Sequence, residues 1–157
     1  MVELHPSEIS KKILFKDFFP FIHMEGTEEK TKKRFISFLS DLFDVSLTVW
    51  APGVCHACEY LEGKANEVVK ESYQDVHVEP KSYYGDAHFW LTVKMGGYEK
   101  ELIVDPFGVY TLGEDHYQKK RTIVPFFGTI ENAKGASQKV YSEGKPLGSR
   151  GYHIFHP

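Results

Sequence analysis

Apolar positions in the first third of the chain recur at helical spacing, and from residue 76 onward they cluster and alternate as they do in strands. Ser7 can cap a short helix carrying Ile9, Ile13 and Leu14, which must stop before Pro20. A stronger helix begins at Thr27. Glu28 and Glu29 suit its electropositive start, and Phe35, Phe38, Leu39, Leu42 and Phe43 form one apolar stripe, the expected core. Residues 45–50 are a short β-prone run, broken by Ala51-Pro52-Gly53. A third helix is predicted to start at or just before Cys55, because Cys58, Leu61, Ala65, Val68 and Ser72 follow at steps of three and four. Gly63 inside it costs about 1 kcal/mol relative to Ala.

The pattern then changes. Residues 88–95, HFWLTVKM, are β-rich, Gly96-Gly97 is a two-residue hairpin signal, and residues 98–105 return as a second strand. Further β-type runs lie at 122–130, 139–142 and 152–155. Helices first and strands afterwards predict a single α+β domain over residues 1–157, with N-terminal helices packed on an antiparallel sheet.

Composition narrows the function classes. The 157 residues are 41% hydrophobic and 15% aromatic, which is a globular composition and not that of a disordered chain. A formal net charge of −3 gives no electrostatic attraction for nucleic acid or an anionic membrane surface. Lys119-Lys120-Arg121 is a dense basic run and reads as a solvated turn. The first residues lead to no expectation of a signal peptide, and no apolar run approaches the roughly 20 residues of a membrane span. The expected location is cytoplasmic, where thiols stay reduced and a structural Cys55–Cys58 disulfide is not expected. The oligomeric state is left open.

Both cysteines of the chain lie in APGVCHACEYL. Two cysteines three apart can be a redox pair, half of a metal site, or one nucleophile with an inert neighbour. The hairpin supplies partners for the last reading. If Gly96-Gly97 is a two-residue turn, Met95 faces Tyr98, and stepping back along both strands brings His88 opposite Asp105. A Cys at a helix start gains thiolate stability from the backbone N–H groups and the helix dipole. A nearby His can take its proton, and an Asp on the other ring nitrogen fixes the imidazole. How Cys55 meets His88 depends on the packing of helix on sheet.

At these residues the chain resembles a family. GVCHACEYL, GDAHFWLTV and ELIVDPFG, in that order over residues 52–108, are similar to the transglutaminase-like branch of the papain-like cysteine enzymes. The resemblance implies a papain-like core, with Cys55 as nucleophile, His88 as general base and then acid, and Asp105 as the orienting carboxylate. It implies attack on a peptide or side-chain amide through a thioester acyl-enzyme, with water or an amine as acceptor and no cofactor. The Cys55 backbone N–H would supply part of the oxyanion hole. No Gln precedes the Cys, as it does in papain relatives, so Trp50 with its indole N–H is the oxyanion candidate. Tyr84, Asp86, Trp90 and Phe107 are candidates for the substrate pocket, with strand alternation requiring Phe89 and Trp90 to point to opposite faces.

Other readings stay open. LTVWAPGVCHAC also suggests a thioredoxin-like thiol-disulfide oxidoreductase using Cys55 and Cys58, although its Pro-to-Cys spacing and the position of later prolines do not suit that fold. A zinc site from Cys55, His56, Cys58 and His88 lacks a second ligand pair at ordinary spacing, since His153 and His156 fall on a predicted strand or tail; no metal is expected. Cys58 one turn along the helix reads first as a small buried residue. A non-catalytic binding domain on the same scaffold is the remaining alternative.

Overall fold

The computed structural model describes residues 15–43, 54–83, 88–110 and 123–146. The expected helix from Ser7 and the expected strands at 45–50 and 152–155 lie outside these residues. The described chain enters through a short helix α1 (Phe15–Phe18), a 3-10 turn (Phe19–Phe21) that contains Pro20, and a two-residue strand β1 (Ile22–His23).

Helix α2 (Glu29–Phe43) buries Phe35, Phe38, Leu39, Leu42 and Phe43, the stripe expected from the sequence. Helix α3 (Val54–Ser72) starts where the break at Ala51-Pro52-Gly53 predicts. Its Leu61 and Ala65 are buried and Val68 is partly so, whereas Ser72 is exposed, so the apolar face ends before the last turn.

Strands β2 (Val76–Tyr83), β3 (His88–Met95), β4 (Leu102–Tyr110) and β5 (Ile123–Thr129) follow, then helix α4 (Ala136–Glu143) and the two-residue β6 (Lys145–Pro146). Among the described residues the sheet has six strands in the order β1-β5-β4-β3-β2-β6. All its pairings are antiparallel except that of β1 with β5, so the sheet is mixed and not antiparallel throughout. The α+β composition holds.

Both faces of the central strands are covered, which is why β3 is buried at seven of its eight positions and reads as a continuous run. One face carries Phe89, Leu91, Val93 and Met95 of β3 with Leu102, Val104 and Phe127, and it packs on α2 and α3. The other carries Trp90, Ile103 and Phe126, covered by Ala133 and by Val140 and Tyr141 of α4. Full burial of each such side chain contributes about 1.5–3 kcal/mol. Phe89 and Trp90 do take opposite faces.

Two further expectations need correction. Residues 139–142 are helical and not a strand: the short run Lys139-Val140-Tyr141-Ser142 cannot distinguish the two, and burial of Val140 and Tyr141 against the sheet decides it. Strand β4 begins at Leu102 and runs through Asp105 to Tyr110, where residues 98–105 were expected. The turn is the cause. Tyr98 N–H bonds the Met95 carbonyl at 3.1 Å, but only Gly97 has positive φ (81°), as in a type II turn. A primed hairpin needs positive φ earlier in the turn; the type II form splays the strands, and pairing resumes only at Val93↔Leu102.

Candidate active site

That turn moves the register by two. Val93 pairs with Leu102 and Leu91 with Val104, so the same ladder carried outward sets Asp105 level with Trp90 and not with His88. A shift of two preserves the face, where a shift of one would reverse it. His88 and Asp105 therefore remain on one side of the sheet as diagonal neighbours. His88 Nε2 lies 2.6 Å from Asp105 Oδ2.

Asp105 is fully buried, and the chain beyond it holds it in place. Asp105-Pro106-Phe107-Gly108 follows the preferences of a tight turn, with Asp first, Pro second and Gly fourth. Gly108 takes a positive φ of 65°, and its N–H donates to Asp105 Oδ1 at 2.9 Å. The β4–β5 register shifts between Asp105 and Val109, a bulge of the kind that re-aims side chains.

A third donor comes from α4. Tyr141 Oη donates to Asp105 Oδ2 at 2.6 Å, the oxygen that also faces His88. Burial first, then the Asp105 charge and hydrogen bond, hold the Tyr141 phenol well above its ordinary range, so it keeps its proton. The carboxylate can only accept, hence Nε2 of a neutral His88 carries the proton and Nδ1 carries the lone pair. The imidazole lies nearly parallel to the Trp90 indole (centroids 5.7 Å, 24°), and Trp90 meets Tyr141 edge to face at 5.3 Å. Trp90 is 1% exposed, so it packs against the histidine as core; its indole Nε1 has no hydrogen-bond partner among the described residues.

Cys55 stands at the second position of α3. Its side chain, those of His56 and Cys58, and that of Phe107 lie outside the described residues, as do Trp50, Tyr84 and Asp86 altogether. The placement of the helix is informative. Val76 N–H bonds the Tyr73 carbonyl, closing a tight connection, and α3 packs back over β2 and β3. Nineteen helical residues span about 28 Å and eight strand residues about 26 Å, so α3 begins at the end of the sheet where β2 finishes and β3 starts with His88. The helix covers the Phe89 face, however, and His88 belongs to the Trp90 face. An encounter between the Cys55 and His88 side chains has to occur around the end of the sheet.

Two contributors were missed by the sequence reading. Gly108 was signalled by the Asp-Pro-x-Gly turn pattern. Tyr141 had only the flanking Gly135 and Gly144 to suggest a helix, and nothing local tied it to Asp105. A cleft of about 400 Å³ between α2 and α3, lined in part by Asp41, Lys64, Glu67 and Glu71, is separate from this cluster. Among the described residues no group of three or more His, Cys, Asp and Glu side chains is placed to hold a metal, and no helix is long and apolar enough to cross a membrane. Comparison of the chain with protein-family models, with curated proteins and with solved structures finds no match.

Proposed function

We propose that the chain is a cysteine-dependent hydrolase or acyltransferase of the transglutaminase-like, papain-like kind, acting on a peptide or side-chain amide. The observation that carries the reading is the buried 2.6 Å contact of His88 Nε2 with Asp105 Oδ2. It leaves Nδ1 as the basic nitrogen, at the end of the sheet where α3 begins. Cys55 gives its proton to His88, and the thiolate attacks the amide carbonyl carbon. The oxyanion is stabilised in part by the Cys55 N–H. Collapse expels the amine, which takes the proton from His88, and leaves a thioester; water or a second amine, deprotonated by His88, then releases the acyl group.

The test is alkylation of Cys55 and Cys58 by iodoacetamide against pH, read by mass spectrometry. A triad predicts that Cys55 reacts faster, with a midpoint below the free thiol value of about 8.5. Two cysteines with the same free-thiol profile would remove the reading.

A second reading has its own support. His88 is 7% exposed, Asp105 is fully buried, and the cluster sits under α4 on the face away from α3. On that reading His88, Asp105 and Tyr141 are a structural tie between sheet and helix in a non-catalytic binding domain, and Cys55 shows ordinary thiol reactivity. The oxidoreductase reading lacks comparable support: β2, which follows α3, pairs antiparallel with both β3 and β6.

A further inference from the structure

Tyr141 and His88 compete for one oxygen. Both place a donor 2.6 Å from Asp105 Oδ2, while Gly108 N–H occupies Oδ1 and fixes the plane of the carboxylate. Two donors on one oxygen share its electron density, so each is held less strongly than it would be alone. Tyr141 is 2% exposed and is set in place by its ring, stacked on Phe126 at 5.3 Å and edge-on to Trp90. The phenol therefore cannot swing away to water. Because it keeps its proton, it donates at every pH at which the imidazole titrates.

We infer that Tyr141 is a positioning residue of this site, whose phenol sets how strongly Asp105 attracts the proton on His88 Nε2. The inference rests on the reading of His88 as the base. With the phenol in place, the Asp105 charge is partly satisfied and the imidazolium gains less from it. Without the phenol, the carboxylate faces His88 alone and holds the imidazolium more tightly. Tyr141 thus tunes the base toward releasing its proton, the step that protonates a leaving amine. The titratable groups facing His88 among the described residues are Asp105 from β4, Tyr141 from α4 and Tyr83, directly opposite on β2. Lys81, further along the same face of β2, is occupied by Glu101.

The experiment is a titration of His88 followed through its imidazole ¹⁵N shifts in three proteins: wild type, Tyr141→Phe, and wild type with 3-fluorotyrosine incorporated at position 141. Tyr141→Phe keeps the ring contacts and removes Oη, and its His88 midpoint rises by about 0.5 unit or more relative to wild type. The fluorinated phenol is a stronger donor and moves the midpoint down. A midpoint unmoved, or moved in the other sense, in either folded protein overturns the inference; should Tyr141→Phe fail to fold, the fluorotyrosine protein decides alone. Cys55 alkylation is measured on the same samples. Opposed His88 shifts with an ordinary free-thiol Cys55 profile uphold the role of Tyr141 in setting His88 and remove the enzyme reading instead.

Discussion

His88 and Asp105 reach each other across the diagonal of the β3–β4 ladder and not along a rung. Diagonal Cα positions are about 7–8 Å apart, a gap that an imidazole and a carboxylate can bridge only if both are aimed. Gly108 does the aiming for Asp105. In Asp105→Asn one of the three donors meets an amide NH₂ in place of an acceptor, which costs about 1–3 kcal/mol. Urea unfolding should show that loss. If the triad operates, the rate of Cys55 acylation should also drop by on the order of 10–10³, less than in a serine enzyme because a thiolate needs less help. His88→Ala should be more damaging to that rate.

Two glycines should respond oppositely to alanine. A Cβ at Gly144 would stand 2.1 Å from Cζ2 of Trp90, with no room for it in a fully buried ring. Gly144→Ala should destabilise by about 1–3 kcal/mol and disturb the indole stacked on His88. Gly63 lies within α3 with no atom within 4 Å of the added carbon. Gly63→Ala should stabilise by about 0.5–1 kcal/mol. Thermal melts of the two variants separate these effects.

Tyr141 should make the protein sensitive to alkali. Its phenol ionises near 10.0 when free and well above that when folded. The stability it confers is complete below pH 10, then is lost as pH rises, because the unfolded chain releases a proton that the folded one retains. Tyr141→Phe should therefore show a flatter decline of unfolding free energy above pH 10 than wild type. Denaturant titrations between pH 8 and pH 11 measure the difference.

Lys81 Nζ lies 2.9 Å from both carboxylate oxygens of Glu101, linking β2 to the residue that precedes β4 across the intervening β3. Both side chains are mostly covered, and Lys94 adds a longer contact at 4.0 Å. A double-mutant cycle of Lys81→Met and Glu101→Gln should give a coupling of about 1 kcal/mol, weakening only modestly in salt.

The helices were readable because their apolar residues recur on one stripe: every buried position of α2 was expected from spacing alone. Strand β3 was readable from composition, and its face assignments followed from alternation. What failed was set by backbone conformation. Gly96-Gly97 permits both primed and type II turns, and nothing in the pair decides between them; the choice moved the register by two and lengthened the loop to Leu102. His88 and Asp105 kept their common face because an even shift preserves it. Tyr141 was out of reach for a different reason. Its partner is 36 positions away, and α4 owes its place to burial against Trp90 and Phe126, which is tertiary information.

The parallel pairing of Ile22 and His23 with Phe127 and Gly128 has a consequence for how the chain is made. Asn132 reaches back 109 positions to the His23 carbonyl and also bonds the Glu25 carbonyl, while Phe18 packs on Phe127. None of these contacts exists until the ribosome has delivered β5. Until then the nascent N-terminal segment carries Phe18, Phe21 and Met24 without their strand, an opening for chaperones. The α2–α3 pair and the β2–β3 hairpin join near neighbours in sequence and can form early, whereas β1 closes the largest loop between paired strands among the described residues. In pulse-labelled hydrogen exchange during refolding, the amides of β2 and β3 should gain protection before the β1–β5 pairing; simultaneous protection would show that closure is not a separate late event.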